Sequence, residues 1–259
     1  MACAASWYRP IRDEVRVFEH TYDNRLPLLL KGPTGCGKSR FVEAMAEKTG
    51  RPMITVACHD ETSAADLLGR HLVKGGDTVW QDGPVTRAVR EGAILYLDEI
   101  AEAREDVIVV LHPLSDHRRE LYVDRTQETL AATAGFMLVV SYNPGYRRGF
   151  KELKPSTRQR FVSLAFEYPS PAVEQEIVEH EARLEAKHAK RLVALATKIR
   201  GLEELGLAES ASTRLLVNAG ALIRDGLEPR VACDVAIVQP LSDDPHLVSA
   251  LQDLSSLVF

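Results

Sequence analysis

The stretch Gly32-Pro33-Thr34-Gly35-Cys36-Gly37-Lys38-Ser39 carries a glycine, four intervening residues and then Gly-Lys-Ser. That spacing suits the phosphates of a nucleotide. Glycines let consecutive backbone N–H groups curl around phosphate oxygens, and the helix that follows points its positive end at them. Lys38 is the cation for the β- and γ-phosphates, and the Ser39 hydroxyl, with Arg40 next to it, is an oxygen ligand for Mg2+. A second stretch, Ile94-Leu95-Tyr96-Leu97-Asp98-Glu99, ends an apolar run in two carboxylates. Asp98 is the candidate for holding Mg2+, mostly through water. Glu99 is the candidate for polarising a water for in-line attack on a γ-phosphate. Three more positions suit such a site. Asn143 ends the next apolar run, where its amide can reach the water or the γ-phosphate; an Asn before Pro144 is also a common turn former. Arg158 and Arg160 precede the last apolar run. Arginine neutralises charge on a transferring phosphoryl group, often across a subunit boundary, and a solvated basic turn is the plainer reading. Arg214 opens a helix, where the dipole disfavours a cation, so phosphate contact is a candidate reason for its presence.

These residues require strand ends gathered at one edge. Five short apolar runs read as strands: 26–31, 52–58, 93–100, 136–144 and 162–169. They are bounded by turns and separated by helical stretches, which predicts an α/β fold with a parallel sheet and helices on both faces. Residues 70–80, around Gly75-Gly76, and 118–130 read instead as hairpins. Beyond Pro169 and Pro171 the composition turns to helix formers, including a Ser-capped segment that stops at Gly226. The boundary is placed near 170.

With 259 residues the chain has room for one large domain or two small ones. Its 45% hydrophobic and 27% charged content excludes a disordered chain. A net charge of -5 and the lack of a basic helix argue against a nucleic-acid partner. No run nears the roughly 18 to 20 apolar residues that span a bilayer, so no membrane partner is expected. The four cysteines, Cys3, Cys36, Cys58 and Cys233, are far apart, which argues against a disulfide framework or a zinc site. With no signal-like start, a cytoplasmic location is expected. Asp66-Leu67-Leu68-Gly69 matches a GTPase motif by chance; no Asn-Lys-x-Asp reads guanine, so ATP is the expected nucleotide.

These features in this order resemble the AAA+ ATPases. The two hairpins look like the inserts of the MoxR branch, and SYNPGY, LKPSTRQRFV and STRLLVNAGALIR are similar to the CbbQ/NirQ/NorQ/GvpN family. The resemblance covers nearly the whole chain. It implies a P-loop AAA+ α/β core over 1–170 with two hairpin inserts, and a small all-helical lid over 171–259. It implies ATP and Mg2+ as ligands, Asn143 as sensor 1, Arg158 and Arg160 as arginine-finger residues, and Arg214 as sensor 2. It further implies a homohexamer ring working with a von Willebrand A-domain adaptor of the CbbO type. The implied client is Rubisco, reactivated by removal of inhibitory sugar phosphates. The alternatives are nitric oxide reductase maturation (NorQ/NirQ-like) and gas-vesicle assembly (GvpN-like). Agreement around KPSTRQRF and VAIVQPLSDDP leans to the CbbQ side. By analogy with other ring motors, Leu72, Val73 and Trp80 on one hairpin and Leu121 and Tyr122 on the other are candidates to grip a client; packing within their own hairpins is the rival reading.

Overall fold

Buried aliphatic runs build the central sheet. The computed structural model describes residues 7–144, 153–202, 207 and 209–259. Strands β1 (Leu28–Lys31), β2 (Met53–Ala57), β3 (Gly69–Lys74), β4 (Asp77–Asp82), β5 (Ile94–Asp98), β6 (Glu120–Val123), β7 (Glu128–Ala131), β8 (Met137–Tyr142) and β9 (Val162–Ala165) form three sheets. The largest has the order β2-β5-β8-β1-β9, all parallel. Every residue of β8 is buried, as are Ile94 through Leu97 of β5. A strand covered on both faces reads as a continuous apolar run, which is why these segments show no alternation.

Register brings the chemically interesting ends together. Leu97 pairs with Val140, and Lys31 with Tyr142. The residues after β1, β5 and β8 therefore leave the same carboxyl edge, where open α/β sheets bind ligands.

The same unit holds helices α1 (Glu14–Asp23), α2 (Lys38–Thr49), α3 (Ala64–Leu68), α4 (Pro84–Glu91), α5 (Glu105–Leu111) and α6 (Pro155–Arg158). Asp66 belongs to a capping box with Ser63 at the start of α3, a structural use of the Asp-x-x-Gly stretch. β3 and β4 form the first expected hairpin. Gly75 (φ 62°) and Gly76 (φ 94°) supply the two left-handed residues that its tight turn demands. β6 and β7 form the second.

The chain divides into two compact units. One holds residues up to Gly32 with Lys38–Phe166, the other Pro33–Gly37 with Glu167–Phe259. The second unit is helical: α7 (Pro171–Ala182), α8 (Ala186–Arg200), α9 (Thr213–Arg224), α10 (Pro229–Cys233), α11 (Gln239–Leu241) and α12 (Pro245–Val258). Ser212 caps α9 by accepting from Leu215 N–H. A π-helical segment, Asp234–Val238, joins α10 to α11 just before Pro240, which has no N–H to continue the ordinary ladder. Leu192, Leu195, Leu216, Ile237 and Leu251 form its core. No helix among the described residues is long and apolar enough to cross a membrane.

Candidate active site

β5 delivers Asp98 to the carboxyl edge of the sheet, and Glu99 follows it with a left-handed backbone (φ 52°). A non-glycine residue held in that region is a mark of local constraint. The constraint is visible. Glu99 N–H donates to Ser141 Oγ at 3.1 Å, and its carboxylate accepts Asn143 N–H at 3.2 Å. Glu99 is thereby fastened to β8 and to the residue just beyond it. Burial pushes its carboxyl above the usual glutamate range and Asp98 adds to this, while Lys38 and the Asn143 N–H oppose it.

Asp98 is fixed from two sides. Its Oδ1 accepts from Ser141 Oγ at 2.5 Å and from Tyr96 Oη at 2.7 Å. Tyr96 Oη also lies 3.3 Å from Ser39 Oγ, at the start of α2. Lys38 is buried, and its Nζ donates to the Gly32 carbonyl at 2.8 Å. Lys38, Ser39, Asp98, Glu99 and Asn143 are thus brought close together. Tyr96 and Ser141 were not singled out from the sequence. Their signal was faint: one phenol in an aliphatic strand, and one hydroxyl in the run Leu138–Tyr142.

Gly32 packs against the end of β9; a Cβ there would stand 2.4 Å from the Phe166 carbonyl oxygen. Within the second unit, Gly35 (φ 70°) meets the cap of α9. A Cβ on it would lie 2.6 Å from Ser212 Oγ and 3.3 Å from Arg214 Cβ. Only glycine satisfies both the backbone angle and the space. Arg214, exposed on α9, is thereby brought to the loop. Thr34 Oγ1 donates to Glu209 at 2.9 Å, and Tyr168 Oη donates to the Thr34 carbonyl at 3.2 Å. Pro33, Cys36 and Gly37 (φ 102°) complete the loop, with Cys36 buried. Arg40 is exposed and pairs with Glu43.

Behind Tyr168 stands a network with no signature in the sequence. Glu174 is fully buried and accepts both Nη groups of Arg200 at 2.7 Å, together with Thr213 Oγ1. The Arg200 guanidinium lies 4.0 Å from the centre of the Tyr168 ring. A buried carboxylate is tolerable only when so paired. The network fixes α7, α8 and the start of α9 around the residue that holds Thr34.

Arg158 and Arg160 are placed differently. Arg160 is half-buried and pairs with Asp116 at 3.1 Å, and Asp116 also holds Arg118 at 2.7 Å. The Arg118 guanidinium keeps the Asp116 carboxyl well below the usual carboxylate range. Arg158 forms no ion pair among the described residues. Neither arginine is paired with Asp98 or Glu99. Of the hairpin residues, Leu121 is fully buried, and Trp80 is half-buried against the core with its Nε1–H on Asp82. Both pack into their own unit. Val73 and Tyr122, 78% and 50% exposed, are the two of the five that stand out into solvent. Gly145 and Tyr146 of the SYNPGY stretch lie outside the described residues, as does Cys3.

The residues present fit a magnesium nucleotide. The hydroxyl of Ser39 and the carboxylates of Asp98 and Glu99 are hard oxygen donors of the kind Mg2+ takes. Burial, with the charges of Asp98 and Glu99, pushes the Cys58 thiol up to about 12, so it is neutral near pH 7.

Comparison with known proteins agrees with this geometry. The family model described as AAA domain (dynein-related subfamily) matches residues 27–161, and that described as CbbQ/NirQ/NorQ C-terminal matches 174–258. The chain is 58% identical to Protein NorQ of Paracoccus denitrificans over 258 residues, covering 100% of this chain and 96% of the relative. It is 56% identical to the denitrification regulatory protein NirQ of Pseudomonas aeruginosa, covering 99% of both chains. It is 53% identical to Protein CbbQ of Hydrogenophilus thermoluteolus, covering 98% of this chain and 95% of the relative. Among solved structures, a RuvB mutant from Thermotoga maritima shares the fold with a TM-score of 0.53 at 16% identity, covering 94% of this chain and 69% of that one.

Proposed function

The chain belongs to the CbbQ/NirQ/NorQ family of AAA+ ATP hydrolases, and from that premise we propose that it is the motor subunit of a client-remodelling machine. The carrying observation is the assembly of Lys38, Ser39, Asp98 and Glu99 at one sheet edge, with Glu99 fastened by Ser141 and Asn143. In this reading the core spans 1–170 and the lid 171–259. The loop N–H groups from Gly32 to Gly37 surround the phosphates of ATP. Lys38 gives up the Gly32 carbonyl to neutralise the β- and γ-phosphates. Ser39 and Asp98 hold Mg2+, which supplies charge neutralisation on the phosphate oxygens. Glu99 takes the proton of the attacking water, and Asn143 orients that water. Arg214 senses the nucleotide from the lid of its own subunit. Arg160, with Arg158, completes the site of a neighbouring subunit in a homohexamer ring.

The proposal extends to a von Willebrand A-domain adaptor and to a cytoplasmic location. Cys58 and Cys233 are free thiols, which suits a reducing compartment. Two clients follow from the relatives. Rubisco is the client on the CbbQ likeness, and nitric oxide reductase on the NorQ and NirQ likeness; identities of 53%, 58% and 56% support the two about equally. The test measures ATP turnover by the wild type and Glu99→Gln, with the adaptor and each client in parallel. Restored carboxylation of inhibited Rubisco, lost in Glu99→Gln, establishes the first client. Matured reductase activity, lost in the same variant, establishes the second. Turnover by Glu99→Gln equal to wild type overturns the site.

A further inference from the structure

Tyr96 interrupts an aliphatic strand, and its side chain is fully buried. Packing alone gives no reason for the hydroxyl, since phenylalanine would fill the same space. That hydroxyl stands between the two groups read above as holding the cation. It donates to Asp98 Oδ1 at 2.7 Å, and Ser39 Oγ lies 3.3 Å away.

The direction of these bonds follows from counting protons. A phenol has one proton to donate. Because Asp98 receives it, Ser39 must be the donor to Tyr96 Oη. The order of donation is therefore Ser39 to Tyr96 to Asp98. A hydroxyl binds a cation through an oxygen lone pair, so its proton must point at an acceptor elsewhere. Tyr96 is that acceptor. Ser141 supplies a second donor to the same Asp98 oxygen and accepts Glu99 N–H, so the carboxylate is restrained on both sides.

We infer that Tyr96 is a positioning residue for the cation site: its hydroxyl takes the Ser39 hydrogen bond and passes donation on to Asp98, so that the Ser39 lone pair and the Asp98 carboxylate face Mg2+ together. The inference rests on the reading of Ser39 and Asp98 given above. It adds a requirement for the Tyr96 phenol, which acts through Ser39 and Asp98. Outer-shell partners of this kind change metal affinity while leaving the fold in place.

The test uses full-length wild type, Tyr96→Phe and Asp98→Asn, with methylanthraniloyl-ATP fluorescence as the probe. Each protein is titrated with the nucleotide in EDTA and then with Mg2+ at fixed nucleotide. Mn2+ binding to the nucleotide complex, followed by electron paramagnetic resonance, gives a second readout independent of turnover. Tyr96→Phe is expected to bind the nucleotide in EDTA as wild type does. Its half-saturating Mg2+ concentration should rise about tenfold, within the range for outer-shell changes. Asp98→Asn should lose most of the Mg2+-dependent gain in affinity. If Asp98→Asn loses that gain and Tyr96→Phe keeps the wild-type Mg2+ curve, the Tyr96 inference is overturned and the site reading stands. If Asp98→Asn itself keeps the wild-type curve, the site reading is overturned and the inference with it.

Discussion

The acidic sheet edge and the segment carrying Arg158 and Arg160 hold opposite charges and are built in opposite ways. At the sheet edge, Asp98 and Glu99 are tied to Tyr96, Ser141 and the Asn143 backbone by bonds of 2.5 to 3.2 Å. At the arginine segment, Arg160 is held by one half-buried carboxylate, Asp116, and Arg158 forms no ion pair among the described residues. Rigid placement is what a group needs when it must act on a bound nucleotide within its own subunit. A cation held by one ion pair has fewer fixed partners than the carboxylates of the sheet edge. The contrast is what the proposed division of labour requires, with the acidic half serving its own chain and the arginine half a neighbour.

The largest expected effect comes from breaking that second half. Arg160→Ala should lower ATP turnover about 1000-fold, the scale of an arginine finger, while ATP affinity stays within a few-fold of wild type. Loss of affinity in parallel with turnover would instead place Arg160 in its own subunit's binding site. Glu99→Gln should lower turnover about 100-fold with ATP still bound, the scale of a general base. A smaller effect sharpens the comparison. Asp116→Asn should lower turnover about threefold, because it removes the charged partner of Arg160 and leaves the guanidinium in place. A drop as deep as that of Arg160→Ala would show that Asp116 belongs to the site.

The smallest effect is on stability. Burial and Asp98 raise the Glu99 carboxyl above the ordinary glutamate range. The folded chain then binds a proton more tightly than the unfolded one, so this group's contribution to stability is full below the ordinary glutamate value and is lost as pH rises through the raised one. Glu99→Gln removes the penalty. Near pH 7 its melting temperature should exceed that of wild type by about 2 °C, and the difference should shrink as pH falls. Melting curves across pH that stay parallel would contradict the raised value. The same shift places the acid limb of wild-type turnover above that of an ordinary glutamate.

Much of the active edge was legible in the sequence because its signals are local. A glycine loop before a helix, and an apolar run ending in two carboxylates, each need only eight or fewer consecutive residues. The partners that fix them are distant. Ser141 meets Asp98 from 43 positions away, and Thr213 meets Glu174 from 39. No local pattern announces such pairs. The hairpin residues show a different limit. The sequence offers Leu121 and Tyr122 alike as candidates to grip a client or to pack their own hairpin, and strand alternation separates them, sending Leu121 and Val123 inward and leaving Tyr122 outside. The separate burial of Glu174 is likewise invisible in a stretch that reads as a solvated helix face; the nearby arginine that neutralises it arrives only when α7 and α8 pack.

The most direct test of a site shared between subunits mixes two inactive proteins, Lys38→Ala and Arg160→Ala, and follows ATP turnover across ratios. Each alone should be inactive. In mixed rings, an Arg160→Ala subunit supplies an intact phosphate loop and a Lys38→Ala neighbour supplies the arginine, so at equal ratio about one quarter of the boundaries should be complete. Turnover that rises to a maximum near that ratio is the predicted result. Turnover that stays at the level of the single variants at every ratio, with mixed assembly verified, would contradict the account.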